Sequence, residues 1–238
     1  MINHHPKFEL IQSFVNGDLP ASMSAAITIH ASLCPSCQSK ISQLTEQVAE
    51  AVFENEGDSN TFIASTVIRE VQSVSDQSSD DLDDFDFDDM INSITESSDI
   101  DVIQPVIDKT IEFKNISYDL PKPLNNIVIG KTAKIGNLSR ARLMLDEDEI
   151  RTSLLHIAPG GSVPEHTHNG FELTVLLDGS FSDEKGHYEK GDFIMLDASH
   201  QHQPFSQEGC LCYTVANDSL HFTQGINKLL NPIGSFIY

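Results

Sequence analysis

Two histidines and a glutamate lie in one short stretch of the second half of the chain. The run G-G-S-V-P-E-H-T-H-N-G-F-E-L-T-V-L-L-D-G extends from Gly160 to Gly179 and contains His166, His168 and Glu172. In an extended strand the two histidines point to the same side, and the glutamate can return to that side after the Asn-Gly break. Two imidazoles and a carboxylate are suitable ligands for a divalent transition metal. The stretch therefore predicts a metal centre.

A fourth ligand for this centre is expected further along the chain. Gly191, Asp192 and Asp197 lead into His202, and His200 is the alternative two residues earlier. Three nitrogens and one carboxylate can hold zinc, iron, manganese, nickel or copper, and the sequence does not choose among them. With iron such a centre could activate dioxygen, and with zinc it could polarise a water or a peroxide.

A second set of ligands lies near the N-terminus. His30 and Cys34 are four residues apart near the end of a predicted helix, hence on one face, and Cys37 follows at the start of the next helix. Two thiolates and an imidazole suit tetrahedral zinc, and either His4 or His5 could supply the fourth ligand. Four protein ligands leave no position for a substrate, so we expect a structural role.

The pattern around these cysteines is helical. Apolar residues at helical spacing predict helices over residues 6–16, 21–33 and 37–55, and a fourth from about residue 59 through Val71. Together they predict a small all-α zinc-binding domain over residues 1–73. The apolar core of such a domain is small, so we expect it to need additional stabilisation, such as a bound metal.

The composition changes twice after this helical region. Residues 74–104 are rich in Ser and Asp, which predicts an acidic low-complexity linker, although apolar residues between 82 and 94 also fit a segment that folds on a partner. Residues 105–238 carry short β-like runs and predict an all-β barrel or sandwich domain. The runs are 127–129, 141–145, 153–157, 173–177, 193–196 and 211–215.

Charge and composition narrow the classes of partner. The formal net charge is −22, and no Lys or Arg occurs between Arg69 and Lys109. An acidic chain offers no basic surface to phosphates, so we expect no direct nucleic-acid binding and favour basic proteins as partners. The sequence has no apolar run that could span a bilayer and no signal-peptide pattern, which predicts a cytoplasmic protein without membrane contact. Cys210 and Cys212 are expected to be core residues near the barrel.

The C-terminal motif resembles that of the cupins. Gly160, His166-x-His168, Glu172 and Gly179 match the first cupin motif at every spaced position. A later stretch of this chain, Gly191-Asp192-x4-Asp197-x4-His202-x-Pro204, resembles the second cupin motif. It has Asp197 where the family usually has proline. The resemblance implies a cupin barrel and makes His202, rather than His200, the fourth ligand. It also implies a divalent metal, zinc first and iron, manganese or nickel as alternatives, and a homodimer through the cupin domain.

The N-terminal pattern resembles the zinc-binding anti-sigma domain. The segment from His5 through His30-x3-Cys34-x2-Cys37 matches that family's pattern, in which an upstream histidine completes the site, and by position His5 fits better than His4. Both halves together resemble the ChrR-like anti-sigma factors. The resemblance implies that the zinc domain holds an extracytoplasmic-function sigma factor inactive, so that residues 1–73 alone bind it. It further implies that the cupin domain responds to singlet oxygen or organic peroxides.

A metalloenzyme is the alternative from a different class. Taken alone, the C-terminal motif also fits a cupin dioxygenase or isomerase, to which the helical region would be a partner-binding appendage. Joined to the anti-sigma pattern, the centre is better interpreted as the input of a switch than as a catalytic site.

Overall fold

The protein is represented by a computed structural model with a helical N-terminal region and a β-rich C-terminal half. The fourth predicted helix and both domain boundaries lie outside the described residues, as does nearly all of the acidic tract. The structure describes residues 2–54, 91–93, 95–96, 108–147, 149–168, 170–218 and 220–222.

Three helices follow an extended N-terminal arm, residues 2–7, at nearly the predicted positions. They are α1 (Phe8–Val15), α2 (Ala21–Leu33) and α3 (Pro35–Glu54). Gly17 adopts a positive φ of 78° just after α1, and Cys34 is extended between α2 and α3. Pro35 then opens α3, where its missing N–H costs no helical hydrogen bond. None of the helices in the described ranges combines the length and apolar character needed to cross a bilayer.

The C-terminal half is built from short antiparallel strands, and each of the six predicted runs overlaps one of them. The eight strands that no predicted run overlaps are only two to four residues long. The described residues contain fourteen strands in all. They are β1 (Thr110–Phe113), β2 (Ile116–Asp119), β3 (Val128–Ile135), β4 (Leu138–Met144), β5 (Arg151–Ile157), β6 (Gly161–Ser162), β7 (His166–His168), β8 (Glu172–Ser182), β9 (His187–Glu189), β10 (Phe193–Leu196), β11 (Gln201–His202), β12 (Phe205–Ser206), β13 (Cys210–Ala216) and β14 (Leu220–Phe222).

The strands form a hairpin and two larger sheets. The main sheet has the order β3-β4-β5-β13-β8-β12-β6, and β10 and β9 also pair with β8. A three-stranded sheet has the order β11-β7-β14, and β1 pairs with β2. The long strand β8 therefore pairs with β10 in its first half and with β9 and β12 near its end, which curls the sheet. The predicted fold class, a small helical region followed by a cupin-like β structure, is confirmed.

The helix α2 packs on one face of the main sheet. The described residues before Ala49 belong with those from residue 108 onward to one compact unit, and the few described residues between Ala49 and Val106 belong to another. Met23, Ile27 and Ile29 of α2 share one apolar core with residues of the sheet, among them Val175 and Tyr213. The Tyr213 hydroxyl donates a 2.8 Å hydrogen bond to the Ser22 carbonyl at the start of α2. The helical region therefore completes its core on the sheet.

The opposite face of the sheet lines the inside of the curl. Side chains alternate along a strand, so Val175 of β8 faces α2 whereas Leu176 belongs to a second apolar cluster. That cluster includes Ile157, Phe181 and Cys212 and lies beside the histidines of the C-terminal motif.

Candidate metal centres

The C-terminal centre, defined as His166, His168, Glu172 and His202, is assembled by three strands. His166 and His168 are two apart on β7, and the pairing of β11 with β7 sets His202 opposite His166. Glu172 begins β8. Each residue contributes one ligand atom, and all four atoms lie within 4.8 Å of one another. The structure thus brings together the four residues that the sequence assigned to this centre.

The ligand atoms are spaced as they would be around one ion. His202 Nε2 lies 3.0 Å from His166 Nε2 and 3.4 Å from His168 Nε2. Glu172 Oε2 lies 2.7 Å from His168 Nε2 and 3.6 Å from His202 Nε2. Two nitrogens bound at about 2.1 Å to adjacent positions of one metal are themselves about 3.0–3.4 Å apart. The donor set and its spacing therefore fit a divalent cation.

Two of the three imidazoles are oriented by a further contact of the ring, made through Nδ1. His166 Nδ1 lies 2.8 Å from the Pro164 carbonyl, to which only a protonated nitrogen can donate. His202 Nδ1 lies 3.3 Å from Asp183 Oδ2. With the proton on Nδ1, each ring keeps the Nε2 lone pair for a metal, which is the usual arrangement of ligating histidines. Asp183 had no motif to mark it in the sequence.

The charges in this centre favour a cation. Burial lowers the pKa of His166 to about 4. Burial also opposes the charged form of His202, but hydrogen bonds to Asp183 and Glu172 outweigh it and raise the pKa of His202 to about 9. Burial alone would raise the pKa of Glu172, whereas its contacts with His168 and His202 hold it well below the usual value. Without a metal the protonated His202 is the positive partner of this buried carboxylate, and a metal bound by His202 Nε2 would displace that proton and take its place.

The alternative ligand His200 lies outside the cluster. Its Nδ1 is 2.7 Å from Asp197 Oδ1, and about a third of its side chain is exposed. The same Asp197 oxygen accepts a hydrogen bond from the Ser199 N–H, 2.9 Å away. Asp197, where cupins usually carry proline, therefore stabilises the turn before His202 and leaves the ligand in place.

A pocket adjoins the C-terminal centre on the inner face of the sheet. The space in it that water-sized molecules can occupy is about 40 Å³. His166, Glu172 and His202 form one part of its wall, and the remaining wall is largely apolar. The other lining residues are Leu155, Ile157, Val163, Thr174, Phe181, Pro204, Cys212 and Thr214.

The cysteine pair of β13 lies next to this pocket. The sulfur atoms of Cys210 and Cys212 are 4.0 Å apart, and both side chains are buried. The contact between the two thiols and burial raise the pKa of Cys212 well above its usual value. Both residues lie in the inner apolar cluster, in agreement with the core position predicted from the sequence.

The N-terminal centre, defined as His5, His30, Cys34 and Cys37, joins the arm to the helices. His5 belongs to the arm, His30 to the last turn of α2 and Cys37 to the first turn of α3. Four ligand atoms, one from each residue, lie within 4.8 Å of one another. His5 Nδ1 is 3.5 Å from the sulfur of Cys34 and 3.5 Å from that of Cys37. Tetrahedral zinc, with bonds of about 2.3 Å to sulfur and about 2.0 Å to nitrogen, separates such atoms by about 3.6 Å.

His30 has one ring nitrogen without a partner. Its Nδ1 lies 2.7 Å from the Gly191 carbonyl, to which it donates, while its Nε2 is buried and has no hydrogen-bond partner among the described residues. An unpartnered acceptor next to two buried thiols is what a metal ligand is expected to be before the ion binds. Burial lowers the pKa of His30, which keeps the ring neutral.

His4, the alternative to His5, is turned away from the sulfur atoms. Its ring lies 4.7 Å from that of Tyr188, and its Nδ1 is 3.2 Å from Asp192 Oδ2.

Burial and the neighbouring Cys34 raise the pKa of Cys37 to about 11. A metal would therefore displace a proton from this thiol on binding.

Comparison with known proteins agrees with both halves of the chain. Residues 133–219 match the ChrR Cupin-like domain. The anti-sigma-E factor ChrR of Cereibacter sphaeroides is 23% identical over 242 aligned positions, which cover 97% of this chain and 97% of that protein. The crystal structure of Rhodobacter sphaeroides SigE in complex with the anti-sigma ChrR contains a chain that matches with a TM-score of 0.62 and 23% identity, over 91% of this chain and 100% of the other. The predicted resemblance to ChrR-like anti-sigma factors is confirmed.

Proposed function

We propose that this chain is an anti-sigma factor that binds and sequesters an extracytoplasmic-function sigma factor through its N-terminal helical region. The similarity to anti-sigma-E factor ChrR carries the proposal, because it extends over 97% of both chains and supports an anti-sigma function. Because a sigma factor acts with the transcription machinery, the proposal implies a cytoplasmic location.

The surface of the helices supports a protein partner. Phe8 at the start of α1 is 56% exposed, and Phe53 near the end of α3 is 71% exposed. Val48 and Val52 of α3 are each about 40% exposed and continue its apolar stripe. Exposed apolar side chains one helical turn apart, such as Val48 and Val52, are typical of surfaces that bind another protein.

The N-terminal centre has a structural role in this proposal. Zinc bound by His5, His30, Cys34 and Cys37 would tie the arm to the junction of α2 and α3, and the four ligands would leave no position for a substrate. Loss of one ligand should therefore loosen the helical region on which the sigma factor docks.

Inhibition of a cognate sigma factor tests the proposal. The 238-residue chain should bind the factor and block transcription in a purified system, and Cys34→Ala should abolish both effects. Cys210→Ala is the matched control, because Cys210 is as deeply buried but belongs to β13. Inhibition by Cys34→Ala equal to that of the unmodified chain would remove the structural role of the metal, and a chain that binds no sigma factor would remove the proposal itself.

The C-terminal centre is the proposed input. We infer that singlet oxygen or an organic hydroperoxide acts at a divalent metal, zinc first, held by His166, His168, Glu172 and His202, and that this leads to release of the sigma factor. The support is the ionised carboxylate and the three imidazoles beside a pocket that could admit a small oxidant. A preformed complex treated with an organic hydroperoxide should dissociate, whereas Glu172→Gln should remain bound. Glu208→Gln, which changes an exposed glutamate, is the control, and equal release by all three chains would contradict this input.

The same pocket favours one alternative, a cupin metalloenzyme. Three metal ligands face an apolar cavity, which is the usual form of a small-molecule site. Turnover of a small phenolic or acidic substrate by the iron-, manganese- or zinc-loaded chain, lost in Glu172→Gln, would support it. The assay requires the whole chain, because removal of α2 would expose the apolar face of the sheet.

Because α2 covers this face of the sheet, a homodimer through the β half would use another surface.

A further inference from the structure

A turn of the β half contacts the N-terminal arm. The turn, Gly191–Asp192 between β9 and β10, belongs to the second cupin-like motif. Asp192 Oδ1 accepts hydrogen bonds from the Asn3 N–H at 2.9 Å and the His4 N–H at 3.1 Å. The Phe193 N–H, at the start of β10, donates to the His4 carbonyl at 3.0 Å. Three hydrogen bonds therefore fix the backbone immediately before His5.

The same turn contacts a second ligand of the N-terminal centre. The Gly191 carbonyl accepts a 2.7 Å hydrogen bond from His30 Nδ1. This bond places the proton on Nδ1 and leaves the buried Nε2 as the nitrogen that faces the other ligands. Gly191 has a φ of +95°, a backbone conformation that residues with a side chain rarely adopt, and this favours glycine at the turn.

Asp192 also holds the turn itself in place. Its Oδ2 accepts a 2.9 Å hydrogen bond from the Glu189 N–H, and only 2% of its side chain is exposed. Burial would raise the pKa of this carboxyl, but the bonds from Glu189, His4 and Asn3 hold it below its usual value. The carboxylate is therefore ionised and joins the turn to the arm through charge-assisted hydrogen bonds.

We propose that the Gly191–Asp192 turn positions two of the four ligands of the N-terminal centre, His5 through the arm and His30 through its Nδ1. The metal affinity of that centre then depends on the β half, although all four ligands precede residue 38. Asp192 and Gly191 are positioning residues, since neither provides a ligand. The inference rests on the proposed metal-binding role of the centre, and it gives the β half a direct hold on the region that is proposed to bind the sigma factor.

Cobalt binding to the whole chain tests this inference. Metal-free chain is titrated with Co²⁺, and the thiolate-to-cobalt charge-transfer absorption is recorded. Of the two ligand sets found among the described residues, that of the N-terminal centre contains two thiols and that of the C-terminal centre contains nitrogen and oxygen alone, so the signal is expected to report the N-terminal centre. Cys34→Ser should remove most of it. Competition with Zn²⁺ then gives the zinc affinity.

Two variants break the proposed contact from opposite sides. Asp192→Ala removes the acceptor, and Asn3→Pro removes one donor N–H while it leaves every side chain of the β half unchanged. Asn3→Ala keeps that N–H and is the matched control for the proline, and Glu208→Ala, at an exposed site, is the control for Asp192→Ala. Removal of a group that orients a metal ligand lowers metal affinity by about 10–100-fold. We expect that loss in Asp192→Ala and Asn3→Pro and an affinity close to that of the unmodified chain in both controls.

The outcomes separate this inference from the proposed function. If Asn3→Pro binds cobalt as tightly as Asn3→Ala, the arm is not held by the turn and the inference is overturned, even if Asp192→Ala is weakened or fails to fold. Unchanged affinity in Asp192→Ala would overturn it as well. No sigma factor is present in the titration, so a chain that binds cobalt as expected but fails to bind a sigma factor would contradict only the proposed function.

Discussion

Shortening Ile27 on α2 is expected to destabilise the β half together with the helices. Ile27 is fully buried in the core that α2 shares with the sheet. Ile27→Ala removes three carbon atoms, and at about 0.8 kcal/mol for each buried CH₂ this loses roughly 2.4 kcal/mol of transfer free energy. The cavity that remains brings the expected loss in the free energy of unfolding to about 2–5 kcal/mol.

Two spectroscopic probes can follow the two parts of the unit separately. All four tyrosines lie after residue 117 and the chain has no tryptophan, so tyrosine fluorescence reports the β half. Circular dichroism in the helical band reports mainly α1, α2 and α3. Denaturant unfolding at one fixed zinc concentration should give coincident transitions for the two probes, and Ile27→Ala should shift both to lower denaturant by the same free energy.

A tyrosine transition that stays in place would refute this reasoning. Such a result would mean that the helical region unfolds by itself and that its contact with the sheet contributes little to the stability of the β half. Val48→Ala is the control, because Val48 lies on α3 with 40% of its surface exposed, and surface changes usually alter stability by no more than about 0.5 kcal/mol.

Three further predictions concern the metal centres. Asp183→Asn should lower the pKa of His202 from about 9 and weaken metal binding at the C-terminal centre by about 10–100-fold, which metal retention during dialysis against a chelator would measure; unchanged retention would contradict it. Glu172→Gln should reduce the bound metal from two ions per chain to one by elemental analysis, with the cobalt–thiolate signal preserved; two retained ions would argue against Glu172 as a ligand. Because the pKa of Cys37 is raised to about 11, metal must displace its proton, so each unit decrease in pH should weaken the N-terminal centre about tenfold for every proton released; a pH-independent cobalt affinity would contradict this.

Local spacing was sufficient to predict three of the four residues that gather at each centre. His166 and His168 share a side because side chains alternate along β7, and His30 and Cys34 come together because they are one helical turn apart. Both patterns depend only on the secondary structure in which they lie. For this reason the three described helices, the main strands and three ligands of each centre could be predicted from the sequence.

The choice between neighbouring histidines depends on contacts that are distant in sequence. Register with β7 turns His202 toward the cluster, while Asp197 binds His200. In the arm, Asp192 binds the backbone N–H of His4, from which it is 188 residues away in sequence, and the next residue, His5, reaches the thiols. No pattern within the arm encodes this, so the sequence alone left the choice between His4 and His5 to the family resemblance.

The sequence does indicate that α2 is packed on more than one side. A search for a single apolar stripe along the helix does not reveal this. No Asp, Glu, Lys or Arg occurs between Asp18 and Lys40, and the buried residues of α2 extend over more than one face. A helix that is apolar on most sides is normally enclosed in a core. A metal at the N-terminal centre would therefore be only part of what stabilises the helical region, because the sheet also contributes.

The joint core changes what is expected of residues 1–73 when they are separated from the β half. The fragment would expose Met23, Ile27 and Ile29 to water and would lose the hydrogen bonds of the Gly191–Asp192 turn to the arm and to His30. Because two of its metal ligands would then be less well oriented, the fragment should bind zinc more weakly than the whole chain does. A sigma factor that covers the same face of α2 could restore the fragment's order, but it would then have to displace the sheet in the intact chain. Binding of the fragment that is tighter than binding of the whole chain would therefore identify this face as the docking surface, and weaker binding would place the docking surface on α1 and α3.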